Sequence, residues 1–342
     1  MRLPIGVLPI TMTPEATASL ESRLPEHAHA PSAAEPAPSL DAASGIDAWE
    51  TCKRQWGALL REPNLDAAWL AHLGEGETRL RALARRDTDL ALYLLLQTAA
   101  NELDRYSAHH AVLCAVICEL CAQHLGWPEG EVDALVRASL TMNLSMATMQ
   151  DVLARQSSPM SALQRKEVDG HAERSAQLLQ EAGVSDALVL DVVRQHHAVR
   201  AGQAPGDPVA RLAGLLQRVD VYTAKLSRRA SRDPVSPAIA ARDVCMSAGG
   251  SPDEVGATLL RVLGLYPPGS FVLLKGGELG VVVRRGAKAH TPIVALLRRA
   301  DGGLYVPPVR RDIALGTLTI QRGVRLADVK VRLNHERVLA ST

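Results

Sequence analysis

Between His110 and His124 the chain runs Ala-Val-Leu-Cys-Ala-Val-Ile-Cys-Glu-Leu-Cys-Ala-Gln, with Glu119 its one charge. From about 107 to 125 this reads as a helix apolar on nearly every face, and such a helix is stable only where other helices surround it. The chain must therefore build a helical bundle around this segment. His110, Cys114, Ile117/Cys118 and Cys121 share one stripe of it. The thiols read as small core residues; a mixed His/Cys metal site on the stripe would need ligands from elsewhere in the chain.

Composition agrees with a mainly α fold. The apolar fraction of 47% comes mainly from Leu, Val and Ala, with only 3% aromatic residues, a mixture that favours helices over an aromatic-rich sandwich. At 342 residues there is room for two domains, or one large domain with attachments. Five cysteines, Cys52, Cys114, Cys118, Cys121 and Cys245, form no paired spacing and no disulfide framework. The opening Met-Arg-Leu-Pro-Ile-Gly-Val-Leu-Pro-Ile is interrupted twice by proline and does not read as a signal peptide. No run approaches the roughly eighteen apolar residues of a membrane span, so a cytoplasmic, soluble protein with no membrane partner is expected.

The net charge of +1 hides an asymmetry. From Val281 to Thr342 there are twelve Lys/Arg and four Asp/Glu, or +8, leaving −7 (1 − 8) on the rest. The basic end could attract an anion or an acidic partner surface, or be an Arg-rich solvated sheet face. It lacks interleaved aromatics, Tyr305 alone following Phe271, so nucleic acid is not an expected partner.

Along the chain, residues 1–46 read as a flexible Pro/Ala-rich tail. A helical module is expected over 47–104. Its first helix carries Trp49, Cys52, Trp56 and Leu59/Leu60 on one stripe, and further helices are expected at 65–72, 77–85 and 87–104. A larger helical domain follows over 105–265. Pro128-Glu129 opens a helix to about Leu140, and Ser161-Ala-Leu-Gln164 is a capping box for the helix that carries His171. Ser185-Asp186 caps the helix ending in His196-His197, and Asp207-Pro208 opens the helix that bears Asp220 on an apolar stripe. After Tyr266-Pro-Pro-Gly-Ser the texture changes. Phe271-Val-Leu-Leu, Leu279-Gly-Val-Val-Val, Ile293-Val-Ala-Leu-Leu and Leu304-Tyr-Val read as strands, with Lys275-Gly-Gly-Glu and Asp301-Gly-Gly as hairpin turns. A small antiparallel β unit is expected within 266–342.

His110, His171, His196, His197 and Asp220 form the constellation that carries chemistry. Two imidazoles adjacent at a helix end can serve neighbouring metal positions, and a carboxylate on an apolar stripe must be paired, hydrogen-bonded or metal-bound. His/carboxylate sites suit Fe, Mn or Zn acting on phosphate esters.

The order of these residues resembles the HD-GYP domains of bacterial signalling phosphodiesterases, which hydrolyse cyclic di-GMP. The likeness covers about 105 to 280. In that family a ligand histidine opens a helix, here His110. A lone histidine matches His171, a His-His-Glu motif matches His196-His197, and an Asp-x-Tyr-x-Ala motif matches Asp220-Val-Tyr222-Thr-Ala224. An Arg-Pro-Tyr-Arg segment is echoed by Arg229-Ala-Ser-Arg232, and Tyr-Pro-x-Gly-Ser-x-Val-x-Leu by Tyr266-Pro-Pro-Gly-Ser-Phe-Val-Leu-Leu. The departures are as specific. The family's Leu-Leu-His-Asp-Ile-Gly-Lys motif aligns with Ala138-Ser-Leu-Thr-Met-Asn-Leu-Ser-Met146, which puts Met142 at the His, Asn143 at the Asp and Met146 at the Lys. Tyr106 stands where metal-rich members place a glutamate, Ala198 replaces the Glu, and Gly202-Gln-Ala-Pro205 is what remains of Gly-Tyr-Pro.

The resemblance thus implies an HD-GYP-like helical bundle with a degenerate site. Asn143 offers one neutral oxygen where the family's aspartate bridges two metals, and the Met142 thioether is a poor ligand for Fe, Mn or Zn. The five remaining ligands are expected to hold one divalent metal (Fe, Mn or Zn) or none. Arg228, Arg229 and Arg232 are the candidate phosphate-binding residues, because guanidinium binds phosphate without a metal. The expected function is binding of cyclic di-GMP, or of a protein partner, with little or no hydrolysis. The alternative is an active phosphodiesterase with an unusual ligand set.

Overall fold

The computed structural model describes residues 41–61, 63–198, 206–245 and 253–340. Most of the segment read as a tail therefore lies outside the described residues, but its end does not. Helix α1 (Ala42–Arg61) starts five residues before the expected 47, because the Asp41 carboxylate accepts hydrogen bonds from the Ser44 N–H (3.0 Å) and hydroxyl (2.6 Å). Its buried stripe is the one expected, Trp49, Cys52, Trp56 and Leu60.

The two short helices expected at 65–72 and 77–85 are one, α2 (Ala67–Arg86), capped by Asp66. Gly74-Glu-Gly76, which falls in the gap between those two ranges, continues the helix. Gly76 lies against the Trp56 indole, which a Cβ would meet at an ordinary contact distance of 3.4 Å, so the position belongs to the α1–α2 packing and not to a turn. Helix α3 (Thr88–Asn101) is capped by Asp87 and buried on all sides from Leu90 to Ala99.

At the centre stands α4 (Tyr106–His124), buried continuously from Tyr106 to Glu119. Helices α1, α3, α5 (Glu129–Thr141), α6 (Ala147–Arg155), α9 (Pro208–Leu226) and α11 (Glu254–Leu263) all pack on it. Its one internal charge, Glu119, accepts from Arg81 Nε (3.0 Å) and Arg85 Nε (2.9 Å) of α2, which offsets the cost of burial. Between α5 and α6 a 3-10 turn spans Leu144–Met146. Helix α7 (Ala162–Glu181) opens with the expected Ser161/Gln164 capping box. Asp186 caps α8 (Ala187–Gln195), and Asp207 caps α9 with Pro208 in its first turn. Helix α10 (Pro237–Cys245) completes the bundle.

The C-terminal sheet is antiparallel, in the order β4-β3-β2-β1-β5: β1 Phe271–Leu274, β2 Leu279–Arg284, β3 Ile293–Arg298, β4 Leu304–Asp312 and β5 Ile320–Val324. The sequence reading missed β5, whose Ile-Gln-Arg-Gly-Val carries little alternation, and ended β4 too soon, at Val306. It also missed the short helix α12 (His335–Leu339). The sheet is bound to α3. Gln97 Nε2 donates to Gly269 O (2.6 Å), and Arg285 and Arg284 pair with Asp89 (2.6 Å) and Asp87 (3.2 Å). Gly269 has φ +92°, and a Cβ there would lie 2.9 Å from the Tyr93 carbonyl, so the Pro-Pro-Gly-Ser junction needs glycine twice over. No helix among the described residues is long and apolar enough to cross a membrane.

Candidate metal centre

The first turns of α4 place His110 and, one turn on, Cys114 on the same face; both are buried, at 2% and 0% exposure. Facing them, α9 brings Asp220 and Thr223. His110 Nε2 lies 2.7 Å from Asp220 Oδ1. Cys114 Sγ is 3.7 Å from the same nitrogen and 3.1 Å from Thr223 Oγ1, whose own hydrogen goes to the Val219 carbonyl (2.9 Å). The other side is built by α7, which carries His171, and by the end of α8, which carries His196 and His197. His197 Nε2 is 3.9 Å from Asp220 Oδ2. Asp220 therefore stands between two groups, His171/His196/His197 and His110/Cys114/Asp220. All five histidine and aspartate residues expected from the sequence come together here.

Tautomers follow from the backbone. His171 Nδ1 and His196 Nδ1 lie 2.5 and 2.7 Å from the carbonyls of Val168 and Val193, three residues back. A carbonyl only accepts, so each Nδ1 carries its proton and each Nε2 a lone pair. Those two Nε2 atoms are 3.2 Å apart. Protonation does not relieve the opposed lone pairs. Burial, then the neighbouring His197, pushes His196 down to about 3, and burial lowers His171 as well. The Asp220 carboxyl is held at about 2: burial opposes its ionisation, but the hydrogen bond and charge of His110, then His197 and His196, outweigh it.

This arrangement fits a cation. Metal–nitrogen bonds of 2.0–2.1 Å at a tetrahedral angle would separate two imidazole nitrogens by roughly 3.3 Å, close to the 3.2 Å between His171 and His196. Backbone carbonyls on the far nitrogens are also the usual outer partners of ligating histidines. His171, His196, His197 and Asp220 Oδ2 could hold one divalent ion, while the direct His110–Asp220 hydrogen bond positions the carboxylate.

The stretch from Met142 to Met146 brings no comparable donor. Met142 is fully buried in the apolar core and Asn143 is buried beside it; Met146 is half-buried. The turn is seated against α7 by neutral bonds: the Ser145 hydroxyl donates to His171 O (3.0 Å) and its N–H to Ser175 Oγ (3.1 Å).

The three arginines lie in the turn after α9. Arg228 donates to Asn101 O (3.3 Å), Arg232 to Ala224 O (2.6 Å) and Arg229 to the Tyr106 hydroxyl (3.0 Å). Arg229 also lies over the Tyr106 ring at 5.1 Å, and that ring stacks on His110, centroids 5.7 Å apart and 11° from parallel. Among the described residues no carboxylate pairs with any of the three, and Arg229 Nε is buried without a partner. Burial, then the charge of Arg229, lowers Arg232. Sequence reasoning missed Tyr106 as the link between this turn and His110, and Thr223 as a member of the site; Cys114 it placed on the His110 stripe, where a mixed His/Cys metal site needed ligands from elsewhere in the chain. The i, i+4 spacing from His110 was the available signal. The Gly202-Gln-Ala-Pro205 remnant lies outside the described residues.

No family model matches the chain. A cyclic di-GMP phosphodiesterase of Pseudomonas aeruginosa is 26% identical over 211 residues, which cover 60% of this chain and 51% of that protein. The chain thus spans about half the length of the curated relative it matches. The solved structure of an HDG"Y"P protein from Bdellovibrio bacteriovorus is similar with a TM-score of 0.49 and 17% identity, over 66% of this chain and 74% of the other. With its motifs in order along α4, α7, α8 and α9 and a relative matched in sequence, the chain is similar to HD-GYP proteins, with Met142-Asn143 where those proteins carry a His-Asp pair.

Proposed function

We propose that the chain binds cyclic di-GMP in its HD-GYP-like domain, with little or no hydrolysis. The observation that carries this reading is the contrast between the two halves of the site. Met142 and Asn143 are buried and supply no bridging carboxylate, whereas Arg229, bonded to Tyr106, and Arg232, bonded to the Ala224 carbonyl, pair with no carboxylate among the described residues. Guanidiniums without a carboxylate partner, half-buried at Arg229 and exposed at Arg232, favour a phosphate diester, which they can grip by charge-assisted hydrogen bonds. His171, His196, His197 and Asp220 would hold one Fe, Mn or Zn ion, which when bound polarises a phosphate ester and activates water. A neutral Met146 where the family has a lysine gives no charge to steady the phosphate.

Titration calorimetry with cyclic di-GMP on the full chain tests the binding. The wild type should bind, and Arg229→Ala should weaken binding about 10-fold or more, the range for losing a charged hydrogen bond. No heat with the wild type would leave only the version in which the domain recruits a protein partner. A turnover assay on metal-loaded protein tests the second reading, a weak single-metal phosphodiesterase, which the convergent histidines favour. Chelator-sensitive hydrolysis at stoichiometric metal would establish it and displace the first.

A further inference from the structure

Of the group around Cys114, only Asp220 has a place in the function proposed above. Cys114 and His110 are one helical turn apart on α4, and Asp220 reaches them from α9. A tetrahedral ion with a bond of about 2.3 Å to sulfur and 2.0–2.1 Å to nitrogen sets its S and N ligands roughly 3.6 Å apart. The Cys114 Sγ–His110 Nε2 distance is 3.7 Å. The corresponding N–O separation would be roughly 3.4 Å, so the 2.7 Å His110–Asp220 contact must open by a fraction of an ångström. Asp220 Oδ1 faces this group while Oδ2 faces His197, which leaves one carboxylate oxygen for each side.

We propose that His110, Cys114 and Asp220 form a second, thiolate-containing site for a zinc-class ion, with Asp220 shared between it and the His171/His196/His197 centre. The proposal rests on the reading of that centre as a metal site. A thiolate selects Zn2+ over Mn2+ or Mg2+, and one thiolate plus one carboxylate offset the ion's charge in a buried place. Cys114 and His110 are almost without solvent exposure, so an ion held here would clamp α4 to α9, with the fourth position of a tetrahedral ion left by the three protein ligands for a small molecule such as water. Ion binding breaks the Cys114 S–H bond and sends its proton to solvent. The His110 proton moves from Nε2 to Nδ1, where the Thr223 hydroxyl oxygen stands 3.4 Å away as acceptor. Burial raises the Cys114 thiol well above its ordinary value, so without an ion it stays protonated and inert.

Cobalt(II) titrated into the chelator-treated full chain provides the test, because a thiolate ligand adds a near-ultraviolet charge-transfer band that histidine and carboxylate ligands do not. The wild type should show the band, with release of about one proton for this ion. Cys118→Ser, one turn along and outside the group, should keep it. Cys114→Ser should lose it, and zinc content by mass spectrometry should fall from about two ions per chain to about one. Cobalt bound without the band in the wild type would sink this proposal and leave the histidine centre standing. No bound cobalt or zinc at all would sink both. The wild-type spectrum decides the matter even if Cys114→Ser fails to fold.

Discussion

Asn143 and an aspartate differ by one amide group in place of an oxyanion, and that difference sets the charge available to a metal at this turn. Met142, fully buried beside it, fills core volume with a thioether that binds hard cations poorly. Restoring Met142→His with Asn143→Asp should therefore act in two opposed ways. Without metal, placing two polar groups in this core should cost about 1–3 kcal/mol, read as a lower chemical-denaturation midpoint. With Mn2+ or Zn2+ the double variant should bind about 10-fold more tightly than the wild type, at the lower end of what even an outer-shell change does to metal affinity, and recover its stability by linkage. Metal affinity equal to that of the wild type would make the surrounding histidines packing residues. At this scale the five ligand candidates were legible because ligand chemistry needs particular residue types in a particular order. Cys114 was legible only in part. A thiol at i+4 from a histidine means little until α9 supplies Asp220 and Thr223 from more than a hundred residues away. The arginines were legible as cations, but their side-chain partners, Tyr106 and two backbone carbonyls, belong to tertiary structure alone.

Helix α4 shows why the main elements could be read and the smaller ones could not. An uninterrupted apolar run leaves one solution, a helix in the middle of others, and capping residues such as Ser161, Asp186 and Asp207 mark where its neighbours begin. Local signals fell short over Gly74-Glu-Gly76, where α2 runs on unbroken. They were silent for β5 and α12, which are short and held from outside. Helix α12 is held through His335, whose Nδ1 lies 3.0 Å from the Tyr93 hydroxyl. Burial, then the charge of Lys53, lowers the pKa of His335, against a smaller opposing effect of Glu50. A histidine whose folded pKa lies below its unfolded value is bound to more protons when released. Its contribution to docking is complete above about pH 6.5 and is lost as the pH falls below that. Amide protection factors over residues 335–339, corrected for the intrinsic pH dependence of exchange, should therefore fall between about pH 7 and 5.5 more than those in α4 do. In His335→Gln the extra loss of protection should vanish. An equal loss in both chains would place the pH sensitivity elsewhere.

On the scale of the whole molecule, the β unit is a wall of the bundle as much as an appendage to it. Val272, Leu274, Val281 and Val282 are completely buried, and helix α3 has the sheet against it through Gln97, Asp87 and Asp89. Tyr93, itself fully buried, is reached from the far end of the chain by His335. Each large apolar side chain uncovered costs about 1.5–3 kcal/mol, so stripping the sheet from α3 removes several times the margin by which a domain is stable. Deleting residues 266–342 should accordingly yield a chain that is insoluble or melts without a cooperative transition by circular dichroism, even though the candidate ligand residues all lie before the cut. The same reasoning bears on how the basic end of the chain can be tested for partners. Charge-reversing substitutions on exposed arginines such as Arg311 leave α3 covered and change only the surface field. A truncated chain that melted cooperatively at the temperature of the full one would show that the bundle stands alone, and that the sheet's contacts with α3 contribute little to stability.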